Sequence, residues 1–210
     1  GYSKNKIGLD LNKVDNDENA AHLKLKLKKS FSNYFKLSFG GDYFSTKFNE
    51  DFKPNLGTTN TNGYNSNIAA VFTEADVLFS KKFAAKIGLR ASYNDLLDET
   101  ALAPRLSLAY KVAKNSQFSL AYGDFSQSPS VDYIKYSKYH QFESEKAAHY
   151  ILNFQYAKDS KTFRAEAYYK DYNNLVKYDT QDIAYNSVFN NTGSAYAKGL
   201  DLFWRDGKTI

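Results

Sequence analysis

Residues 143–172, ESEKAAHYILNFQYAKDSKTFRAEAYYKDY, decide how the rest of the chain is read. Ala148, Tyr150, Leu152, Phe154 and Tyr156 alternate with His149, Ile151, Asn153 and Gln155, which puts a greasy face and a largely polar face on one β-strand. Beyond a short polar turn, Phe163, Ala165, Ala167 and Tyr169 alternate in the same way with Thr162, Arg164, Glu166 and Lys170. A helix would smear these two sets round its circumference, so the stretch is a hairpin. Its strands exceed the five to six residues typical of globular sheets. They suit the roughly 9 to 11 tilted residues that cross a bilayer in a barrel.

The same alternation runs through the chain. Ile7, Leu9 and Leu11 form a first strand, expected to end in a turn at Asp15, Asn16, Asp17 and Glu18. An EF-hand there is excluded, because no Gly or Glu stands in the required register. Leu23, Leu25 and Leu27 alternate with lysines, and Phe35, Leu37, Phe39 and Tyr43 follow on the next strand. Residues 46–66, rich in Asn, Thr and Gly, read as a long loop. Strands are expected near 67–80 and 83–93, with Glu74 and Asp76 facing Lys86 and Arg90 on the polar side. A loop at 94–103 precedes strands carrying Leu106, Leu108, Leu120 and Tyr122, and a long segment, 126–142, precedes the opening hairpin. A loop at 173–194 leads to Leu200, Leu202 and Trp204. The expectation is about ten strands in one domain, with no sequence-level repeat. Short turns are expected after even-numbered strands and longer loops after most odd ones, the loop asymmetry of outer-membrane barrels.

Composition agrees. The chain has 210 residues, no Cys, 24 % charged residues and a mean hydropathy of −0.60, with 18 Tyr and 16 Phe against one Trp. No apolar run is long enough for a membrane helix, whereas alternating strands average to neutral hydropathy. Thiolate chemistry, disulfides and Cys-ligated zinc are excluded. The net charge of +5 comes without any nucleic-acid-binding motif, which argues against nucleic acid as a partner. The three His are scattered, and no HExxH, GxSxG or P-loop occurs, so no catalytic residue, metal site or cofactor is assigned. A His149–Glu145 dyad is the one catalytic pairing considered, against a plain hydrogen bond for His149. The opening GYSKNK has neither an initiator Met nor a signal peptide, so a piece of a mature protein is expected.

The runs APRLSLAYKV (103–112), QFSLAYGDFSQSPSVDYI (117–134), EKAAHYILNFQY (145–156), TFRAEAYYKDYNNLVKY (162–178) and NNTGSAYAKGLDLFWRDGKT (190–209) resemble the barrel of TonB-dependent outer-membrane receptors of Bacteroidetes type. The likeness is strongest over 68–210. It implies an all-β, antiparallel transmembrane β-barrel segment, about ten strands of a larger 22-stranded barrel. Residues 1–210 would then be part of the barrel domain, without plug, TonB box or closing strand.

The resemblance further implies energy-coupled uptake across a Gram-negative outer membrane of a ligand such as an iron siderophore, cobalamin, glycan or peptide. Partners would be outer-membrane lipid, the TonB complex acting through a plug, and the substrate. On the long-loop rim, Tyr133, Lys135, Tyr136, Lys138 and Tyr139 are candidates to stack on or pair with a ligand; girdle tyrosines and solvated lysines are the plainer alternative. Glu74, Arg90, Arg164, Glu166 and Lys170 are expected as ion pairs on the lumen wall or against a plug. A complete ten-stranded barrel acting as pore or membrane hydrolase, and a soluble β-rich binding module, stand as the alternatives.

Overall fold

The computed structural model describes residues 1–9, 12–136, 142–181 and 187–207. The strands are β1 (Tyr2–Leu9), β2 (Asn12–Ser30), β3 (Phe35–Lys53), β4 (Asn60–Leu78), β5 (Phe83–Asn94), β6 (Glu99–Ala113), β7 (Ser116–Gln127), β8 (Glu145–Lys158), β9 (Lys161–Tyr178) and β10 (Phe189–Asp206). Among the described residues one short helix, α1 (Val131–Tyr136), lies between β7 and β8. The ten strands form one antiparallel meander in sequence order, each paired with its chain neighbours. Among the described residues no pairing joins β10 to β1.

Register carries the period-2 pattern across the sheet. Tyr150 lies opposite Tyr169, Leu152 opposite Ala167, and Phe154 opposite Ala165, so the two greasy sets of the opening hairpin share a face. Leu25, Gly41, Val71 and Ala91 form one cross-strand row on that face, and Leu27, Phe39, Thr73 and Leu89 another. These side chains are not a core. Leu23 is 73 % exposed, Val71 65 % and Leu202 66 %, a continuous apolar surface that water would not tolerate on a monomeric soluble protein.

Aromatic residues bound this apolar band on both sides. Toward the long-loop end stand Tyr43, Tyr93, Tyr122, Tyr150, Tyr169 and Tyr196, several with hydroxyls on polar partners. Tyr93 donates to Asp98 at 2.8 Å and Tyr122 to Asp124 at 2.7 Å. Toward the short-turn end stand Phe31, Tyr34, Phe79, Tyr110, Phe118 and Trp204. An aromatic body beside hydrocarbon with a polar tip in water is the arrangement that membrane interfaces favour.

The segments read as loops are mostly strand. Asp15 to Glu18 lie within β2, paired with β1 on one side and β3 on the other, so the expected turn there is replaced by a strand whose pairing with β1 runs as far as Leu9 and Asn12. The expected loop at 46–66 shrinks to 54–59, because β3 and β4 stay paired as far as Phe52 and Asn60. The loop at 94–103 shrinks to 95–98, and β9 and β10 take up 173–178 and 189–194 of the one expected at 173–194. Turn-forming composition is overridden because a ladder between two long neighbours satisfies every backbone group, and above a bilayer no apolar face is required. The short-turn rim keeps connections of two to four residues, whereas on the other rim mostly longer connections join strands that extend well past the band. A 19-residue strand such as β3 spans about 60 Å, roughly twice a bilayer's hydrocarbon thickness.

The short-turn rim carries a local repeat. FSNYF (31–35) and FSKKF (79–83) close in the same way: Ser32 Oγ accepts the N–H groups of Tyr34 and Phe35, and Ser80 Oγ those of Lys82 and Phe83, all at 3.0–3.2 Å. The flanking rings pair at 5.7 Å (Phe31–Phe35) and 5.3 Å (Phe79–Phe83). This repeat escapes a search for long periods.

Candidate functional site at the long-loop mouth

The 128–144 connection is held at both feet. Ser128 Oγ accepts from Asn94 Nδ2 at 2.8 Å, and the Ser144 N–H donates to Glu99 Oε2 at 2.7 Å. Asn191 brackets Glu143, accepting its N–H and donating to its carbonyl. Between these anchors Ser130 starts α1, its carbonyl accepting from the Tyr133 and Ile134 N–H groups. The helix turns Tyr133, Ile134 and Tyr136 against Leu97, Phe142 and Phe189, which are 3–5 % exposed, with Leu96, Val176 and Tyr178 completing the cluster. Here, above the aromatic band, helix, loop and strand-end residues together form an apolar cluster. Tyr133 contacts the rings of Tyr178 and Phe189 at 6.0 and 6.3 Å, and burial pushes its phenol pKa upward.

Lys135 leaves that cluster and reaches β3. Its ammonium lies 3.1 Å from Glu50 Oε2, with both side chains largely buried (13 % and 6 % exposed), and 3.1 Å from Asp132. Burial lowers the ammonium's pKa, but hydrogen bonds to Asp132 and Glu50 outweigh it, so the group sits above the ordinary lysine value. The ion pair joins residues 85 apart in sequence and ties the β7–β8 connection to the extended end of β3. Sequence reasoning placed Glu50 in a loop and missed it. The available signal was the alternation of Phe48, Glu50 and Phe52 with Lys47, Asn49 and Asp51.

Of the predicted rim residues, Tyr133, Lys135 and Tyr136 thus lie together on α1, while Lys138 and Tyr139 lie outside the described residues. At the β5–β6 turn Asp95 accepts from the Asn67 N–H at 2.6 Å and from its side-chain amide at 2.7 Å. Burial raises the pKa of Asp95, but these bonds and the Leu96 N–H hold it below the ordinary carboxylate value.

The polar face of the sheet carries the other predicted residues. Arg90 pairs with Asp42 across the intervening strand β4, and Lys24 stands 3.5 Å from the same carboxylate. Glu74 meets Lys86 at 3.2 Å and Lys26 at 3.9 Å, and Asp76 meets Lys28 and Lys86. Phe72 lies over Gly40, whose missing Cβ leaves room for the ring. The recess among Lys24, Lys26, Arg90 and Arg105, about 160 Å³, is smaller than an ordinary ligand cavity. Farther round, Arg164 lies over Phe203 at 5.5 Å, Glu166 accepts from Asn153 at 3.3 Å, and Lys170 lies over Tyr168 at 5.3 Å. These last three were expected in ion pairs on the lumen wall or against a plug; within the wall, among the described residues, they bind a ring or an amide.

No His149–Glu145 dyad forms. Glu145 accepts from Val176 N–H and Gln127 Nε2, while His149 lies against Phe125 and Tyr172. Among the described residues no group of three or more His, Asp or Glu could hold a metal ion.

The family profile "TonB dependent receptor-like, beta-barrel" matches residues 3–208. The chain belongs to that family. The family's place is the outer membrane of Gram-negative bacteria, and its members are receptors rather than enzymes. No curated protein matches this receptor barrel in sequence.

Solved structures match its fold. A ferric enterobactin receptor (PfeA) mutant from Pseudomonas aeruginosa is 15 % identical with a TM-score of 0.71, over 90 % of this chain and 33 % of its own. The alcaligin outer-membrane receptor FauA from Bordetella pertussis is 12 % identical with a TM-score of 0.71, over 96 % and 38 %. The copper transporter OprC is 13 % identical with a TM-score of 0.73, over 94 % and 36 %. The receptor barrel described here thus spans about a third of the length of these chains.

Proposed function

We propose that this chain is part of the wall of a larger closed barrel of Bacteroidetes type, in a receptor that imports a ligand through the outer membrane by TonB-coupled transport. The match over residues 3–208 carries this reading, supported by the exposed apolar band and its two aromatic borders. In it the leucine face meets lipid, the face of Arg90, Glu74, Arg164, Glu166 and Lys170 meets the lumen, and further strands cover the free edges of β1 and β10. A plug elsewhere in the protein would meet the TonB complex.

Ligand enters at the mouth held by α1, where Tyr133, Lys135 and Tyr136, with Lys138 and Tyr139 nearby in sequence, offer aromatic faces and cations. Ferric siderophores, cobalamin, glycans and peptides all suit such chemistry. The test expresses the full-length protein in a receptor-deficient Gram-negative host and follows uptake of labelled members of these classes, with and without TonB. Accumulation of one class that needs TonB supports the reading. Entry that is equal without TonB would make the protein a passive pore.

A further inference from the structure

The three consecutive turns joining β2–β3, β4–β5 and β6–β7 hold Lys29, Lys36, Lys81, Lys82, Lys111 and Lys114, all exposed, and no carboxylate falls within segments 29–36, 79–83 or 110–118. Among the described residues none of these six lysines lies within ion-pair distance of an acid. By contrast, the remaining short turn is balanced, since Asp159 lies within it and Lys161 pairs with Asp206 at 3.5 Å. The opposite end is acidic by comparison, with Asp15, Asp51, Asp95, Asp98, Asp132 and Asp179 among its carboxylates. The molecule is therefore polarised along the strand direction.

Position makes the basic rim specific. Lys29 leaves the sheet on the leucine face, its ammonium 5.1 Å over the Phe31 ring, while Lys81, Lys82 and Lys114 occupy turn tips. Beside them the repeated FS-x-x-F turns hold Phe31, Tyr34 and Phe79 outward, 57–63 % exposed, at the edge of the apolar band. Rings at the hydrocarbon boundary with ammonium groups just beyond them match the layering of a lipid leaflet, acyl chain first and phosphate next.

We propose that this rim is a binding surface for anionic phospholipid headgroups of the leaflet at the short-turn end, with Lys29, Lys81, Lys82 and Lys114 contacting the phosphates. The proposal rests on the membrane-barrel reading above. Each Lys near an anionic leaflet favours binding by about fivefold. Screening and imperfect additivity reduce the product, so at least a roughly tenfold preference is expected for the four together.

The test uses the full-length protein in mixed vesicles of phosphatidylglycerol and phosphatidylcholine, extracts it in mild detergent, and counts retained lipid by native mass spectrometry. Heat-dependent gel mobility reports separately whether the barrel has formed. Wild type should retain phosphatidylglycerol over phosphatidylcholine at least about tenfold; the Lys→Gln variant at positions 29, 81, 82 and 114 should lose the preference, and Lys→Arg should keep it. A folded barrel with no preference, or with one unchanged by Lys→Gln, overturns the proposal and leaves the barrel reading standing. Displacement of the lipid by inorganic phosphate at equal concentration would also overturn it, by making this a free-anion site. Failure of the wild type to insert into the mixed vesicles would overturn the membrane reading itself.

Discussion

Leu89 and Arg90 are adjacent in β5 and face opposite ways, so they test the facing one side chain at a time. Leu89→Arg puts a charge on the apolar band and is expected to weaken membrane folding by about 2 to 4 kcal/mol, measured by urea titration of the full-length protein in vesicles. Substitutions on a lumen wall are ordinarily milder. Arg90→Leu is not such a case, because its partner Asp42 is only 3 % exposed and would keep a poorly compensated charge. The two effects are separated by rescue: Asp42→Asn should recover most of the loss caused by Arg90→Leu and none of that caused by Leu89→Arg. Equal behaviour of both variants in the Asp42→Asn background would contradict the assigned faces. Asp95 gives a pH test. Its folded-state pKa is lowered below 3.8, so its contribution is full above that value and is lost as pH falls through the lowered one. Because Asp95 is exposed, the loss on Asp95→Ala at neutral pH is expected to be only about 1 kcal/mol. It should appear as faster amide exchange at 94–98, and that difference from wild type should vanish in acid.

At the scale of elements, strands were legible in sequence wherever one face meets lipid, because the apolar set must then repeat every second residue. The hairpin β8–β9 pairs as its alternation requires, Tyr150 with Tyr169 and Leu152 with Ala167. Strand ends were not legible. Above the aromatic band β2, β3 and β4 are mostly polar, with Phe44, Phe48 and Phe52 of β3 marking one face, and their Asn, Thr and Gly content reads as loop although backbone pairing continues. Helix α1 was hidden for a related reason, since its six residues are held by contacts with Leu97, Phe142 and Phe189 and not by any long helical period. The ion pair of Lys135 with Glu50 therefore has an element-scale consequence. Removing the cation by Lys135→Met leaves Glu50 buried without its partner, at a cost of about 3 kcal/mol, paid in local opening of 128–144. Hydrogen exchange over 131–136 should accelerate by about two orders of magnitude while the strands stay protected, and adding Glu50→Gln should reverse most of it. No change in exchange would mean that the apolar cluster alone holds the helix.

For the whole molecule, the organising fact is a ten-stranded meander with its apolar residues exposed and its charges gathered on the other face. An ordinary soluble sheet protein inverts that arrangement. The outer membrane resolves the inversion, and the two aromatic borders set the depth at which the sheet sits. Among the described residues the outer edges of β1 and β10 have no strand partner, and such unpaired backbone groups are costly in lipid and prone to aggregation in water. Residues 1–210 expressed alone in detergent are therefore expected to elute as heterogeneous aggregates on size-exclusion chromatography. Residues 1–210 contain no Cys, so once any Cys elsewhere in the full-length protein is replaced by Ser the central claim can be tested without background. Single Cys substitutions from Lys86 to Ala91 in the full-length protein, spin-labelled in vesicles, report contact with lipid through oxygen-enhanced relaxation. The account predicts high oxygen accessibility at 87, 89 and 91 and low accessibility at 86, 88 and 90. A uniform profile, or alternation in the opposite phase, would contradict it.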